Sequence, residues 1–475
     1  MISKDAFIAA NRFGLGPLPL ELGVIGKNPR GWLKRQISVE QKTPSLLQNL
    51  PKVSEIMQTY VRNRQMGNRG QNRGQGNRQS GGGQGSGGGR RSGNSFRQQQ
   101  GQNYVDSVYS RTLNMIQTPA PFAEHMVKFW SNHFTVSNAS RKIVGPIAVA
   151  YETDTIRPHI FGNFEDMLIA VAQHPTMLIY LDNHISMGEK SQMALNPRGG
   201  DGRARARGLN ENLAREILEL HTLGVNGGYT QTDVREFAKI ITGWSFGGRG
   251  GGPEGPNGFR FKRWFHEPGP KTLLGRTYDS GTVNDGLDAL KFLAHHPSTA
   301  KFVATKLVRH FVADDPPAAA IKKIERVFTE SKGNLAKVSA ALIDLEEAWQ
   351  SPFSKTKTPY ELVLSTYRAL DIGEPDKRGI LQTLSELQQF PFKASSPAGW
   401  PDVAKEWLNP ETLMRRIEWT RALAAKLPRS VKPEELFADT IGAVASKQTK
   451  FWVKAAPSAE EAIALILASP EFQRR

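Results

Sequence analysis

The sequence predicts a mainly α-helical protein, a large multi-helix globular core with long Gly/Arg-rich loop insertions and at most a minor β-hairpin. Three observations carry this reading. Most patterned stretches place apolar residues at i, i+3, i+4 and i+7, and strand-like alternation is scarce. At 475 residues the chain can bury a sizeable core without cross-links. It contains no cysteine, which excludes disulfides, Cys–zinc sites, iron–sulfur clusters and thiol nucleophiles, so any metal must be held by His, Asp, Glu or Asn.

Residues 1–60 read as the N-terminal helical part of the core. The opening MISKDAFIAANRFGLGP mixes Lys4, Asp5, Asn11 and Arg12 with short apolar stretches. No basic region followed by an unbroken apolar run is visible, so no secretory signal is expected and the absence points to the cytoplasm. The longest apolar runs, such as Ala462 to Ala468, fall short of the roughly 20 residues that span a bilayer. The chain reads as a soluble protein with no transmembrane segment.

Residues 61–104 read as a disordered Arg/Gly/Gln-rich insert, too poor in apolar groups to repay the entropy of ordering. Its eight arginines meet no acidic residue, so it supplies eight of the seventeen excess positive charges. A basic, mobile stretch of this kind suits an anionic polymer as partner, although it has few aromatics to stack on bases. Asn196 to Gly208 and Gly247 to Gly258 are further Gly/Arg-rich interruptions.

Residues 105–350 read as the central helical region and 351–475 as a C-terminal helical part packed on the core. In EHMVKFWSNHF, Met126, Phe129, Trp130 and His133 share a helical face; in TQTDVREFAKIITGW, Val234, Phe237, Ala238 and Ile241 do. Thr230 with Asp233, and Ser458 with Glu461, have the spacing of reciprocal N-terminal caps. The His-Pro pairs at Pro175 and Pro297 set proline where its fixed φ suits a first helical turn. GFRFKRWF, before His266, is the one stretch suited to a hairpin arm.

All ten histidines lie between His125 and His310, which confines imidazole chemistry to the middle of the chain. The densest polar cluster is the predicted 210–221 helix. At about 100° per residue, Asn212, Glu216 and Glu219 share a face flanked by Arg215, opposite Leu213, Ile217 and Leu220. Such a set can bind a divalent metal through oxygen or divide acid and base roles. The plainer reading is ordinary ion pairing of Arg215 with Glu211 and Glu219, worth about 0.3–0.5 kcal/mol each. His221 falls on the apolar side, as a structural histidine. His133 suits either a core histidine or a base in a partly dry pocket. Asp182 follows an apolar run, at a cleft or as a helix cap. His266 sits in a Pro/Gly-rich loop beside Glu267, as an acid–base candidate or a simple turn residue. No nucleophile elbow, Walker loop, HExxH or Rossmann fingerprint is convincing.

NRFGLGP, FWSNHFTVS, HPTMLIYLDN, NENLAREILELHTLGVNGGYTQTDV, ITGW, HEPGPKTLLG, HPSTAKFVATKLVRHFV, SPAGWPD and ASPEFQ together resemble the bacterial family called domain of unknown function 1800, over nearly the whole chain. The resemblance implies no reaction, because the family is named for lacking one. It implies a partner, since its genes often neighbour those of domain of unknown function 1501, a family resembling the sulfatase and alkaline phosphatase group. It also implies export, against the missing signal. The departures are Glu267, where the pattern generally has aspartate, and the Gly/Arg-rich insertions.

Two functions follow as expectations. One is a hydrolytic or metal-assisted enzyme with a polar site on the 210–221 helix, joined through folding by His133, Asp182 and His266. The other is a non-catalytic binding or assembly partner of a sulfatase-like protein or an anionic polymer.

Overall fold

The computed structural model describes residues 3–38, 40–59, 88–196, 208–247 and 255–475. Helices carry it, and among the described residues strands are confined to two antiparallel hairpins. The arm predicted from GFRFKRWF is real: Phe259–Phe261 pairs with Trp244–Phe246, with Trp244 opposite Phe261. A second hairpin, Lys271–Leu273 with Arg276–Tyr278, turns through Leu274 and Gly275, both at positive φ, as a two-residue hairpin turn requires. No helix of the described residues is long and apolar enough to cross a membrane.

The predicted caps begin helices. Thr230 and Asp233 close both halves of a capping box on Gln231–Ile240, whereas Ser458 supplies one half, accepting the Glu461 amide at 3.1 Å. The His-Pro pairs do more than fix φ. His174 Nδ1 accepts the Thr176 amide and His296 Nδ1 accepts the Ser298 amide, each at 3.1 Å, so each imidazole is itself the N-cap.

Composition predicts a flexible insert over 61–104, yet a helix spanning Gly88–Gln117 begins inside it. Tyr104, Val108 and Met115 are buried on the main core, and the Tyr104 hydroxyl donates to the Pro391 carbonyl at 2.6 Å. This anchored stripe nucleates the helix, and extension at its end costs far less than nucleation. The rest of the predicted insert, with the Gly/Arg-rich stretches at 197–207 and 248–254, lies outside the described residues.

One hydrophobic cluster runs from Ala6 to Phe392 and contains Trp130, Tyr151 and Trp244. A smaller one joins Leu436, Ile463, Ile466 and Phe472 to Phe7. The Pro359–Ala369 helix serves both, with Val363 and Leu364 in the first and Leu362 and Ala369 in the second. It is buried on every face, which is why its polar residues Glu361 and Arg368 need internal partners.

Among the described residues three helices widen into single π turns, at Ala9–Phe13, Glu152–Ile156 and Ile217–His221. The second begins with buried Glu152, which takes three contacts of 2.7–2.9 Å from Arg111. Arg157 makes a parallel buried fork with Glu124 at 2.5 and 2.9 Å. Burial works to deprotonate both guanidiniums, but their carboxylates hold them above the ordinary arginine range. Replacing Glu152 by alanine leaves Arg111 buried without its counter-charge, so Glu152→Ala is expected to lose about 3–5 kcal/mol, read as a lowered urea midpoint with folded-state helicity unchanged.

Candidate functional site

The residues singled out in the sequence are each held by partners of their own. The 210–221 segment is not one regular helix: an α-helical Asn212–Glu216 passes into the π turn Ile217–His221, so the 100° projection fails after Glu216. Asn212 is exposed, while Arg215, Glu216 and Glu219 are half-buried. Arg215 bonds Glu211 at 3.0 Å and Gln231 at 2.9 Å, the ordinary pairing that its spacing allows. Asp182, at φ 58°, pairs with Arg141. His266 sets Nδ1 3.0 Å from the Thr242 carbonyl and Nε2 3.0 Å from Lys271 Nζ, so both nitrogens are taken. Burial, then Lys271, push its pKa down to about 4. No hydrogen bond or ion pair among the described residues joins His133, Asp182, Glu216 and His266 to one another.

A tighter constellation lies elsewhere. His125, on the Pro121–His133 helix, and His310, on the Pro297–Phe311 helix, face each other with Nε2 atoms 2.9 Å apart. Glu361, on Pro359–Ala369, puts Oε1 3.2 Å from His125 Nε2. The partners of the other ring nitrogens fix both tautomers. His125 Nδ1 is 3.0 Å from the Phe13 carbonyl, and His310 Nδ1 is 2.7 Å from Asp402 Oδ2. Both partners accept only, so each Nδ1 carries the proton and each Nε2 presents a lone pair inward. One ligand atom from each of His125, His310 and Glu361 lies within 4.8 Å of the others.

Glu361 is buried, at 4% exposure, and that burial disfavours its charge. Arg475 and Lys128 outweigh it and hold the carboxyl well below the usual range. The Thr358 amide and Arg475 Nε take Oε2 at 2.8 and 3.2 Å. Lys128 Nζ lies 2.8 Å from Oε1 but outside hydrogen-bonding geometry, so Oε1 has no hydrogen-bond partner. Asp402, against its own burial, is kept ionised by His310, Lys355 and Arg475. Burial pushes the His125 imidazole down to about 4, leaving it neutral at physiological pH.

The profile of a family described as a protein of unknown function, DUF1800, matches residues 8–474. The chain belongs to this family. No curated protein and no solved structure matches it.

In this DUF1800 chain the constellation borders a cavity of about 280 Å³, whose walls include Lys128, His133, Lys306, Arg309, His310 and Asp402. His133 is therefore both core and cavity wall. Its Nε2 is 3.1 Å from the His221 carbonyl, the last residue of the π turn, and its Nδ1 is buried without a partner. Burial, then the Lys306 charge, hold His133 well below the ordinary imidazole range. Burial likewise pushes Lys306 down to about 8.

His125, His310, Glu361 and Asp402 carried weak signals in the DUF1800 sequence. His125 stands eight residues before His133, two turns along the same helix. Asp402 ends SPAGWPD, and Thr358 and Glu361 have the spacing of a capping box. That cap is a sufficient local explanation of Glu361.

Glu216 still has a testable electrostatic signature. Burial, then the neighbouring Glu219 charge, push its carboxyl from 4.5 up to about 7, with Arg215 opposing. The folded state thus keeps this proton to higher pH than the unfolded chain. The contribution to stability is full below the unfolded pKa and is lost as pH rises to about 7. Denaturation midpoints of wild type relative to Glu216→Gln should therefore fall between about pH 4.5 and 7; a flat difference would remove the shift.

Proposed function

We propose that this DUF1800 protein is a metal-assisted hydrolase whose cation is held by His125, His310 and Glu361, with its substrate in the adjoining cavity. The observation supporting this is the pair of inward-facing Nε2 lone pairs, 2.9 Å apart beside a carboxylate oxygen. Three acceptors so close repel unless something positive lies among them, either a proton shared by the imidazoles or a metal cation. The Asp402–His310 contact is the kind of outer-shell carboxylate that orients a metal-bound histidine, and the Phe13 carbonyl does the same for His125. Two imidazoles and one carboxylate are a donor set for catalytic zinc or non-haem iron.

Metal–nitrogen bonds of about 2.0–2.1 Å in a tetrahedral site separate ligands by about 3.3 Å, so the present 2.9 and 3.2 Å spacings would open only slightly. Lys128 competes for Oε1 and, as part of the cavity wall, has room to turn away. A cation here supplies Lewis acidity. Hydrolysis is favoured because Lys128 and Lys306 can stabilise the negative charge that develops on a substrate oxygen. Glu216 and Glu219 are the competing location for a metal. The binding-protein alternative rests on the family resemblance for a sulfatase-like partner and, for an anionic polymer, on arginine-rich loops that lie mostly outside the described residues.

Elemental analysis of the full chain after zinc loading and gel filtration should find near-stoichiometric metal in wild type and in Glu216→Ala/Glu219→Ala. His125→Ala/His310→Ala, checked for retained helicity, should lose it. The reverse pattern would move the site to the 216/219 pair, and no metal in wild type would sink the proposal. Asp402→Ala should weaken zinc affinity by about 10–100-fold, whereas Lys128→Met should tighten it by removing a competing cation, both read by competition with a chromogenic chelator.

A further inference from the structure

The cavity beside His310 has an unbalanced charge. Asp402 is the one carboxylate among its lining residues, and it is already engaged by His310 at 2.7 Å and lies 3.7 Å from Lys355. Of the wall cations, Arg111 is held by Glu152 and Lys128 lies on Glu361. Lys306 and Arg309 have no ion pair among the described residues. Arg309 spends only Nε, on the Asp314 carbonyl at 3.3 Å, and Lys306 rests over the Phe302 ring at 5.6 Å. Three residues apart on the Pro297–Phe311 helix, they present their charges to the same side.

His133, a residue of the same wall, keeps an unmet acceptor beneath it. His133 gives its Nε2 proton to the His221 carbonyl at 3.1 Å, so Nδ1 is a bare lone pair, buried and unpartnered. An unsatisfied buried acceptor is costly unless a ligand supplies a donor. A ligand matched to this wall brings negative charge for Lys306 and Arg309 and a hydroxyl for His133. The volume of about 280 Å³ suits a small molecule.

We infer that the cavity is an oxyanion subsite, in which Lys306 and Arg309 take the charge of a small phosphate-type substrate while His133 Nδ1 accepts its hydroxyl proton. This rests on reading the cavity as the substrate pocket of the proposed hydrolase. Inorganic phosphate near neutral pH carries negative charge and still keeps an O–H donor, because its last proton is lost only far above neutral pH. Sulfate has the charge without the donor, so the subsite distinguishes the two.

The test uses the full chain, freed of metal by chelator, with inorganic phosphate or sulfate titrated calorimetrically at constant ionic strength. Wild type should bind phosphate more tightly than sulfate. Lys306→Met should weaken phosphate by about tenfold or more, Lys306→Arg should largely restore it, and Lys447→Gln/Lys450→Gln, on an exposed helix, should leave it unchanged. Equal affinity for the two anions, an equal loss in the Lys447/Lys450 variant, or no binding by folded wild type would overturn the subsite. Metal dependence separates this from the hydrolase reading. Phosphate that binds only after zinc loading is held by the metal, so the subsite falls and the hydrolase reading stands. Phosphate that binds while no metal is ever taken up leaves the subsite and removes the hydrolase.

Discussion

An ionised carboxylate with 4% exposure cannot persist in a protein interior unless cations and donors are brought to it. Glu361 imposes that requirement on a helix buried from every side. Meeting it draws together Lys128 from a neighbouring helix, Arg475 from the far end of the sequence, and the Thr358 amide at the helix's own start. Arg475 in turn reaches the carbonyls of Arg12 and His310 at 3.3 and 3.1 Å. The smaller hydrophobic cluster and the larger one are thereby fastened through a single charge, and the imidazoles are held where their lone pairs meet.

The π turns contribute a second constraint. The last carbonyls of a helix have no partner within it, and two of these turns end where an imidazole can satisfy one. Phe13 closes the first and accepts from His125; His221 closes the third and accepts from His133. Each bond decides which ring nitrogen keeps its proton, and so which one is left bare. The backbone thus sets the protonation of two side chains 112 and 88 residues away, respectively.

Much of the helical fold was legible because periodicity and capping are local. Thr230, Asp233, Ser458 and the two His-Pro pairs each announced a helix start that exists. The Gly88–Gln117 helix was hidden because its early residues have little helix propensity, and its anchor at Tyr104 depends on a distant carbonyl of Pro391. The 210–221 segment misled for a similar reason: one widened turn changes the angular register after Glu216, and nothing in the residue types marks it. The His125–His310–Glu361 centre was least legible. Its members come from three helices, and Glu361 already had a sufficient local explanation as a cap.

The spacing of these parts along the chain bears on how the protein folds. His125 meets His310 across 185 residues, Glu361 meets Arg475 across 114, and Arg475 meets Arg12 across 463. Contacts of such separation are rewarded only after long loops have been closed, and they slow the search for the native state. Local helices can form early, but the charged centre cannot exist in any half of the chain. Its donors become neighbours only when segments from both ends of this sequence have docked, so no single stretch of helices assembles the centre.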